Sequence, residues 1–536
     1  MPYPDRTSLA SGRQRTVLRL TVDGVERYYT DAAISIPDST PGTVGEIQTL
    51  PGMAEPDMVD ALGESGASLG IEILDPANWS AIIKGLSGAP AEVSQIIEGQ
   101  DWTARRVILR GRADSPVYGA AGEPIRFGLQ SAPWQDRGLL PLPSWVVSDA
   151  TWPRATSALA CPGDLHGLFY PVVIGDPGAD ASATTEADWY PLPALIVEID
   201  DSIDPPDNSV TSCVVLLGAG VLGCVGDTVE VYNETTGASA VVSPFIATDA
   251  AGVDVTCVEI AAADMPVVLG DALFWRPSAG GRAGIVGTST AGGAIRWLLS
   301  WSSAEVDPGL MQSAADRLNR WRVGAYIDEP VSPYQWVQDN LFAVLPVMMI
   351  EGAAGIGLAI LPILPADADG AETVDVEAVG GERASEVAES SWRDISTSLS
   401  LQYAPDDRLG TYRRRIDLDP TISRVVGTRH PTPYGRAAAQ LLPGLRPLDL
   451  TFDAVSEPAT ATALAEYHLR QEAQVSREVD VTLPQAYQTL QAGDLLRVTL
   501  ADVGWSEVLC VVVSVPRVSG AGVFRLRTIP DIVRAI

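Results

Sequence analysis

Histidine, lysine and cysteine are scarce in this chain, and each shortage removes a class of chemistry. Three histidines in 536 residues, His166, His430 and His468, leave few general bases for proton transfer at neutral pH. His468 falls inside a helical pattern and reads as a packed residue, and His430, before Pro431, reads as a turn residue. The five cysteines, Cys161, Cys213, Cys224, Cys257 and Cys510, form no C-x-x-C pair and have no histidine at metal-ligand spacing. Free, mostly buried thiols in a reducing cytoplasm are therefore expected, with no metal and no cofactor. The zinc motif H-E-x-x-H and the phosphate-binding P-loop are both missing. No catalytic residue is assigned, and the chain is not expected to be an enzyme.

Basic charge is also short: 68 acidic residues face 36 basic ones, for a formal charge of −32, and every basic residue but Lys84 is arginine. A protein that tracks phosphates needs a basic footprint to displace counterions, so a generic nucleic-acid binder is excluded. Such acidity suits a soluble surface, and it also suits the wall of a passage from which DNA is repelled and along which it slides. Adjacent carboxylates such as Asp200-Asp201 and Asp328-Glu329 are the pairs a glycosidase would need. With 68 acidic side chains such neighbours arise by chance.

What is plentiful is buriable surface. Apolar residues make up 46% of the chain, charged residues 19%, and the mean hydropathy is +0.13, which is the composition of a chain that folds. The length calls for roughly three to four folding units. The opening Met1-Pro2-Tyr3-Pro4-Asp5 and the polar stretch to Arg15 lack the apolar core of a secretory signal. The low-charge run from Leu341 to Pro365 is interrupted by Pro346, Glu351, glycines and Pro362, and reads as two buried strands around Gly352-Ala353-Ala354-Gly355.

The expected fold is mixed α+β and β-dominated, in several domains. Residues 1–140 read as a β domain of sandwich or barrel type. Thr16–Val22 alternates, Asp23-Gly24 turns, Val25–Tyr29 returns, and further strands fall at Ala67–Leu74, Ala104–Arg112 and Ile125–Leu129. Residues 141–189 are a linker and connecting strand; Trp145 and Trp152 are costly to leave wet, so the linker should wrap over a neighbour. Residues 190–285 form a small inserted all-β domain. Residues 286–450 form an α+β helix-hairpin domain, with helices starting near Ala294, at Asp307-Pro308 and at Ser332-Pro333, the last running to Pro346. The acidic stretch Ala366–Glu389 reads as an exposed loop or ragged strand. Residues 451–536 hold a helix with Pro458 in its first turn, then strands at Glu478–Leu483, Leu495–Leu500, Val508–Val515 and Val523–Ile529.

The order of segments from Ala315 to Pro346 resembles a stretch of tail-tip or baseplate hub proteins of long-tailed, siphovirus-like bacteriophages and gene transfer agents. In that family a helix, a strand entering at Gly-x-Tyr/Phe and a second helix precede a hairpin; here Gly324-Ala-Tyr-Ile-Asp328 is the strand and Pro333 starts the second helix. The C-terminal series is similar too: Thr462–Arg470, Arg477–Pro484, then Leu490-Gln-Ala-Gly-Asp-Leu-Leu-Arg-Val-Thr499 before a final hairpin.

The resemblance implies a structural virion protein: a homotrimeric hub whose tube-like β domains stack in pseudo-sixfold symmetry at the distal end of the tail. It implies partners in the distal tail protein, the tape-measure protein and the tail fibre or receptor-binding proteins. Genomic DNA would pass the channel without specific binding, and the host envelope would be met indirectly. The hub would be assembled in the host cytoplasm and sit at the tail tip of the virion, closing or lining the channel until host contact triggers DNA ejection. Trp321, Tyr326, Trp336 and Phe342 are the expected structural anchors. No fibre-like extension follows Ile536, so receptor binding is expected of a separate protein. Two other readings stay open: a cell-wall or carbohydrate-active enzyme, or sugar-binding module, with Trp189-Tyr190 as an aromatic platform although buried packing is the first expectation for that pair, and a peripheral virion or surface-layer protein without a channel.

Overall fold

The computed structural model describes residues 14–30, 34–38, 45–48, 50–51, 68–120, 123–131, 138–154, 159–178, 189–200, 211–278, 282–302, 306–352, 355–363, 365–406, 408–441, 444, 446–515 and 522–530. Strand outweighs helix, 43% against 19%, so the chain is a β-dominated α+β protein as its composition and strand spacing predict.

The first sheet begins with a turn dictated by two residues. Asp23 and Gly24 both take positive φ, +50° and +78°, the left-handed pair that a two-residue hairpin needs. They join Gln14–Val22 to Val25–Thr30 with Val22 opposite Val25. Alternation then sends Leu18, Leu20 and Val22 into one apolar cluster and Val17 to the other face, against Ile96 and Trp102. The strands run in the order Leu50–Pro51, Val25–Thr30, Gln14–Val22, Pro90–Ile97, Arg106–Tyr118, Ile125–Ser131, Ser68–Ile73.

A second seven-stranded sheet is built wholly from residues 192–277, in the order Ala238–Val242, Val229–Asn233, Leu273–Pro277, Leu192–Ile199, Ser212–Ala219, Asp254–Ala261, Phe245–Thr248. Its two outermost strands are consecutive in the chain, and only Ser243 and Pro244 connect them. Three steps of backbone span at most about 11 Å, so the sheet must curl until its edges nearly meet.

The C-terminal sheet uses the same device. Its order is Glu372–Asp375, Leu495–Leu500, Trp505–Ser514, Gly522–Thr528, Arg477–Leu483, Glu382–Arg383, and the edge strands are again neighbours in sequence. The Gly381 amide donates to the Val376 carbonyl at 2.8 Å across that short connection. Curling withdraws open strand edges from solvent within one molecule. The acidic stretch read as a loop or ragged strand thus supplies short edge strands, and this sheet draws on residues either side of 450.

Between these sheets lies the central body. Its helices start where capping chemistry places them: the Asp307 carboxylate accepts from the amides of Gly309 and Leu310 at 3.0 and 3.1 Å, opening Pro308–Leu318. Thr290 caps Ala291–Trp301, and Ser332 caps Pro333–Val337. The last of these departs from the single helix expected up to Pro346, because it is α-helical for five residues and continues as a π turn over Gln338–Phe342. The Asn340 side-chain amide donates to the Trp336 carbonyl at 3.0 Å, the acceptor that an α-helical amide at 340 would use, and the ladder widens there. The hairpin of Val347–Gly352 and Gly355–Ile360 follows with Gly352 opposite Gly355; the turn residues Ala353 and Ala354 lie outside the described residues.

One apolar core runs through this body from Leu140 to Ala473. It joins Trp152 of the linker, Leu298 and Leu318 of the first two helices, Leu401 and Phe452 of a four-stranded sheet (Arg429–Pro431, Thr411–Asp419, Ser398–Asp406, Pro447–Phe452), and Leu464 and Leu469 of the Pro458–Glu472 helix. The linker wraps as expected: Trp152 is fully buried and its indole N–H donates to the Tyr170 hydroxyl at 3.0 Å, which in turn donates to Asp249 of the inserted sheet at 2.7 Å. At the far end, Gly493 of the Ala-Gly-Asp turn has φ +91°, and a Cβ there would stand 2.2 Å from that of Ala359 in the hairpin. Glycine at this position therefore lets the C-terminal sheet seat on the central body.

Candidate functional site

The units meet at the antiparallel pair Val172–Gly175 and Gly324–Ile327. The backbones approach so closely that a Cβ on Gly324 would lie 2.3 Å from the Pro177 nitrogen, and one on Gly175 would lie 1.9 Å from the Val323 carbonyl oxygen. Strand alternation then divides the contacts. Ala325 and Ile327 enter the central core, while Tyr326 packs against the core of the inserted sheet.

The four expected anchors are distributed around this junction. Trp321 is 3% exposed in the central core, with the Arg320 guanidinium 4.2 Å above its ring. Trp336 and Phe342 are half-buried against the same core. Tyr326 and Trp336 also come together in a cleft of about 330 Å³ with Asn340, Tyr412 and Asp453; Trp321 and Phe342 do not line it.

Polar groups tie the junction beneath that cleft. The Gly324 amide donates to the Ala454 carbonyl at 3.0 Å, the Ser456 hydroxyl to the Asp176 carbonyl at 2.9 Å, and the Arg322 amide to the Thr460 hydroxyl at 3.1 Å. The Arg322 guanidinium reaches the Asp176 carboxylate at 3.3 Å. Burial pushes the Asp176 carboxyl above its ordinary range, with Arg282 and Arg322 opposing that shift. On the Pro458–Glu472 helix, burial lifts Glu466 to about 7 against the Thr432 hydroxyl and Arg470. Arg470 is 2% exposed and donates to the carbonyls of Ile363 and Pro362 at 2.8 and 2.7 Å. The His468 Nε2 lies 2.9 Å from the Val344 carbonyl oxygen, between Phe452 and Tyr467, and burial lowers its pKa.

The aromatic pair named for the sugar-binding alternative is packed away, the use expected first for it. Trp189 is 0% and Tyr190 6% exposed, so neither offers a face to a sugar ring. Tyr190 stacks on Tyr232 at 4.7 Å and 12°, and its ring also has the Arg276 guanidinium at 4.5 Å. Arg276 donates twice to Glu230, at 3.0 and 2.6 Å, and the Tyr190 hydroxyl donates to the same carboxylate at 2.9 Å. Although burial pushes Glu230 upward, these bonds hold its carboxyl below the usual range. Arg408 of the central body completes the group over Tyr232 at 5.6 Å and donates to Glu234 at 3.0 Å.

The carboxylate pairs fare differently. Asp328 and Glu329 are both exposed, just beyond the junction strand; Asp200 follows the strand Leu192–Ile199 of the inserted sheet, and Asp201 lies outside the described residues. Among the described residues no three of His, Cys, Asp and Glu are grouped to hold a metal ion. The five cysteines are free, all but Cys161 buried, and burial raises the thiols of Cys213, Cys224 and Cys510 to about 12. No helix among the described residues is long and apolar enough to cross a membrane.

Sequence reasoning missed the Arg408 contact and the pair of Glu198, 0% exposed, with Arg154, because their partners are distant in the chain. The run Arg413-Arg414-Arg415 after Arg408, in so acidic a chain, was the available signal.

No family model matches the sequence, and no curated protein matches it. Solved structures do. The chain is similar to the 43 kDa tail protein of prophage MuSo2 from Shewanella oneidensis at 11% identity and a TM-score of 0.35, over 97% of this chain and 98% of that one. It is similar to the tail protein from Neisseria meningitidis MC58 at 11% identity and a TM-score of 0.34, over 96% of each chain. A chain of the virion of a native gene transfer agent particle matches at 13% identity and a TM-score of 0.37, over 61% of this chain and 79% of that chain. At these identities and superpositions the likeness carries no argument about activity or assembly.

Proposed function

We propose that the chain is a structural virion protein, a homotrimeric hub at the distal end of a phage tail. In this reading it joins the tail tube to fibres or a spike and lines or closes the DNA channel until host contact. The observation that carries the reading is the continuous core from Leu140 to Ala473, on which curled β sheets are mounted through contacts at Gly175, Gly324 and Gly493 too close for any residue but glycine. A body of this kind transmits position and force between attached parts. The order of helix, Gly-x-Tyr strand, helix and hairpin, by which the sequence resembles tail-tip hubs, supports it as well.

The distal tail protein, the tape-measure protein and the fibre or receptor-binding proteins are the proposed neighbours, with DNA passing an acidic wall unbound and the host envelope met indirectly. Assembly takes place in the host cytoplasm and the finished protein resides in the virion. Negative-stain images of the purified protein, averaged without imposed symmetry, test the reading. A threefold ring with a central hole is expected; single compact particles at every concentration overturn it.

A further inference from the structure

Charge is segregated along this chain. From 408 to 436 there are seven arginines against Asp417 and Asp419, a net of five positive charges in a protein of formal charge −32. From 366 to 389 there are eight carboxylates against Arg383, a net of seven negative charges. The first segment belongs to the four-stranded sheet of the central body, the second to the edge strands of the C-terminal sheet.

The basic segment ends in a built tip. The amide of Val426 donates to the Arg429 carbonyl at 2.9 Å and that of Arg429 returns to Val426 at 3.1 Å, closing a two-residue turn with Gly427 at φ +59°. Val425 and Val426 stand 56% and 52% exposed on it. Arg424 is exposed beside them, and Arg436 braces the loop by donating to the Ile422 carbonyl at 2.9 Å. An exposed apolar point with Arg424 beside it has the composition of a protein interface, where arginine and apolar side chains concentrate, more than that of a phosphate track. On the acidic edge, Glu377, Glu382 and Glu386 are exposed, Glu382 on a two-residue strand and the other two in the connections on either side of it.

We infer that the Val425-Val426 tip of one copy docks on the acidic 366–389 edge of the next, a head-to-tail contact that closes a ring of identical chains. The occupant is a second copy because the chain itself carries both halves of the charge match, on two different sheets. A heterologous contact of this kind produces a ring when its rotation closes. This rests on the self-assembling hub proposed above and names the surface by which it assembles.

The full chain is tested by sedimentation and light scattering across concentration and salt, with three variants: Arg424→Glu with Val425→Glu at the tip, Glu377→Arg with Glu382→Arg and Glu386→Arg at the edge, and all five substitutions together. Thermal melting checks that each folds. Wild-type association should weaken between about 0.1 M and 1 M salt, as the screening length falls from about 10 Å to about 3 Å. Either single-face variant should associate at least about tenfold more weakly, and the combined variant should recover. Single-face variants that associate like the wild type overturn the docking surface and leave the hub standing. A folded combined variant that does not recover overturns the pairing of tip with edge. A wild type that is monomeric throughout overturns the hub reading itself. Loss of binding to a fluorescent DNA duplex in the tip variant, with its assembly mass unchanged, assigns the tip to nucleic acid and also overturns the inference.

Discussion

Arg408 and Tyr232 belong to different units of the protein, yet the guanidinium of the first lies 5.6 Å from the ring centre of the second and donates to Glu234 at 3.0 Å. With the Tyr190–Tyr232 stack and Arg276 beneath, two cations and two aromatic rings form one column between the central body and the inserted sheet. Replacing Arg408 with Ala should therefore loosen the inserted sheet without unfolding it, at a cost of about 1 kcal/mol. Hydrogen exchange should speed up in Val229–Asn233 and Ala238–Val242 while the core strand Ser398–Asp406 keeps its protection. Equal exchange in both proteins refutes the clasp.

The anchors should rank by burial. Trp321→Ala opens the closed central core and should cost about 3–5 kcal/mol in denaturant unfolding. Phe342→Ala, at a half-buried position, should cost clearly less. Tyr326→Ala should act on the inserted sheet, whose core it meets, more than on the central helices. A Phe342 variant less stable than the Trp321 variant contradicts this order.

These features divide by how local their causes are. The Asp23-Gly24 turn and the Asp307-Pro308 cap were legible because the residues that make them touch within three positions. The hairpin after Pro346 was legible from its glycines and low charge. The role of Glu372–Asp375 was not, since its parallel partner Leu495–Leu500 lies far along the chain and the strand turns only Val374 into the apolar core, too short an alternation to show it. The π turn at Gln338–Phe342 depends on a side-chain amide competing for one carbonyl, which periodicity does not record. Burial of Trp189 and Tyr190 was the expected use of that pair, but the Tyr232 and Arg276 partners that cover Tyr190 lie too far along the chain to be read from it.

Glu466 should make stability depend on pH in a defined window. Its folded pKa, about 7, lies above the ordinary value of 4.5, so the protonated form is the one the fold favours. Its contribution is fully present below about 4.5 and is lost as pH rises toward 7, because the unfolded chain releases the proton first. Glu466→Gln keeps the neutral shape and removes the titration. The variant should match the wild type near pH 4 and exceed it at pH 8 by on the order of 2 kcal/mol. Unfolding curves at the two pH values check this, and a constant difference between the proteins rules out a titrating Glu466.

The pair of Glu198 and Arg154 decides how the inserted sheet tolerates a buried charge. Glu198 is 0% exposed and accepts from the Arg154 amide at 2.7 Å and from its guanidinium at 2.9 and 2.7 Å. Arg154→Met removes the guanidinium that balances this buried charge while the backbone amide still donates to it, and should cost about 3 kcal/mol. Replacing both, Arg154→Met with Glu198→Leu, removes the charge together with its partner and should recover much of that loss, since well-packed apolar side chains do not carry the desolvation penalty of an ion pair. The two single variants and the double variant, unfolded in denaturant, complete the cycle. If the double variant is as unstable as the sum of the singles, the two side chains act independently and the linker is held to the inserted sheet by its backbone and by Trp152 instead.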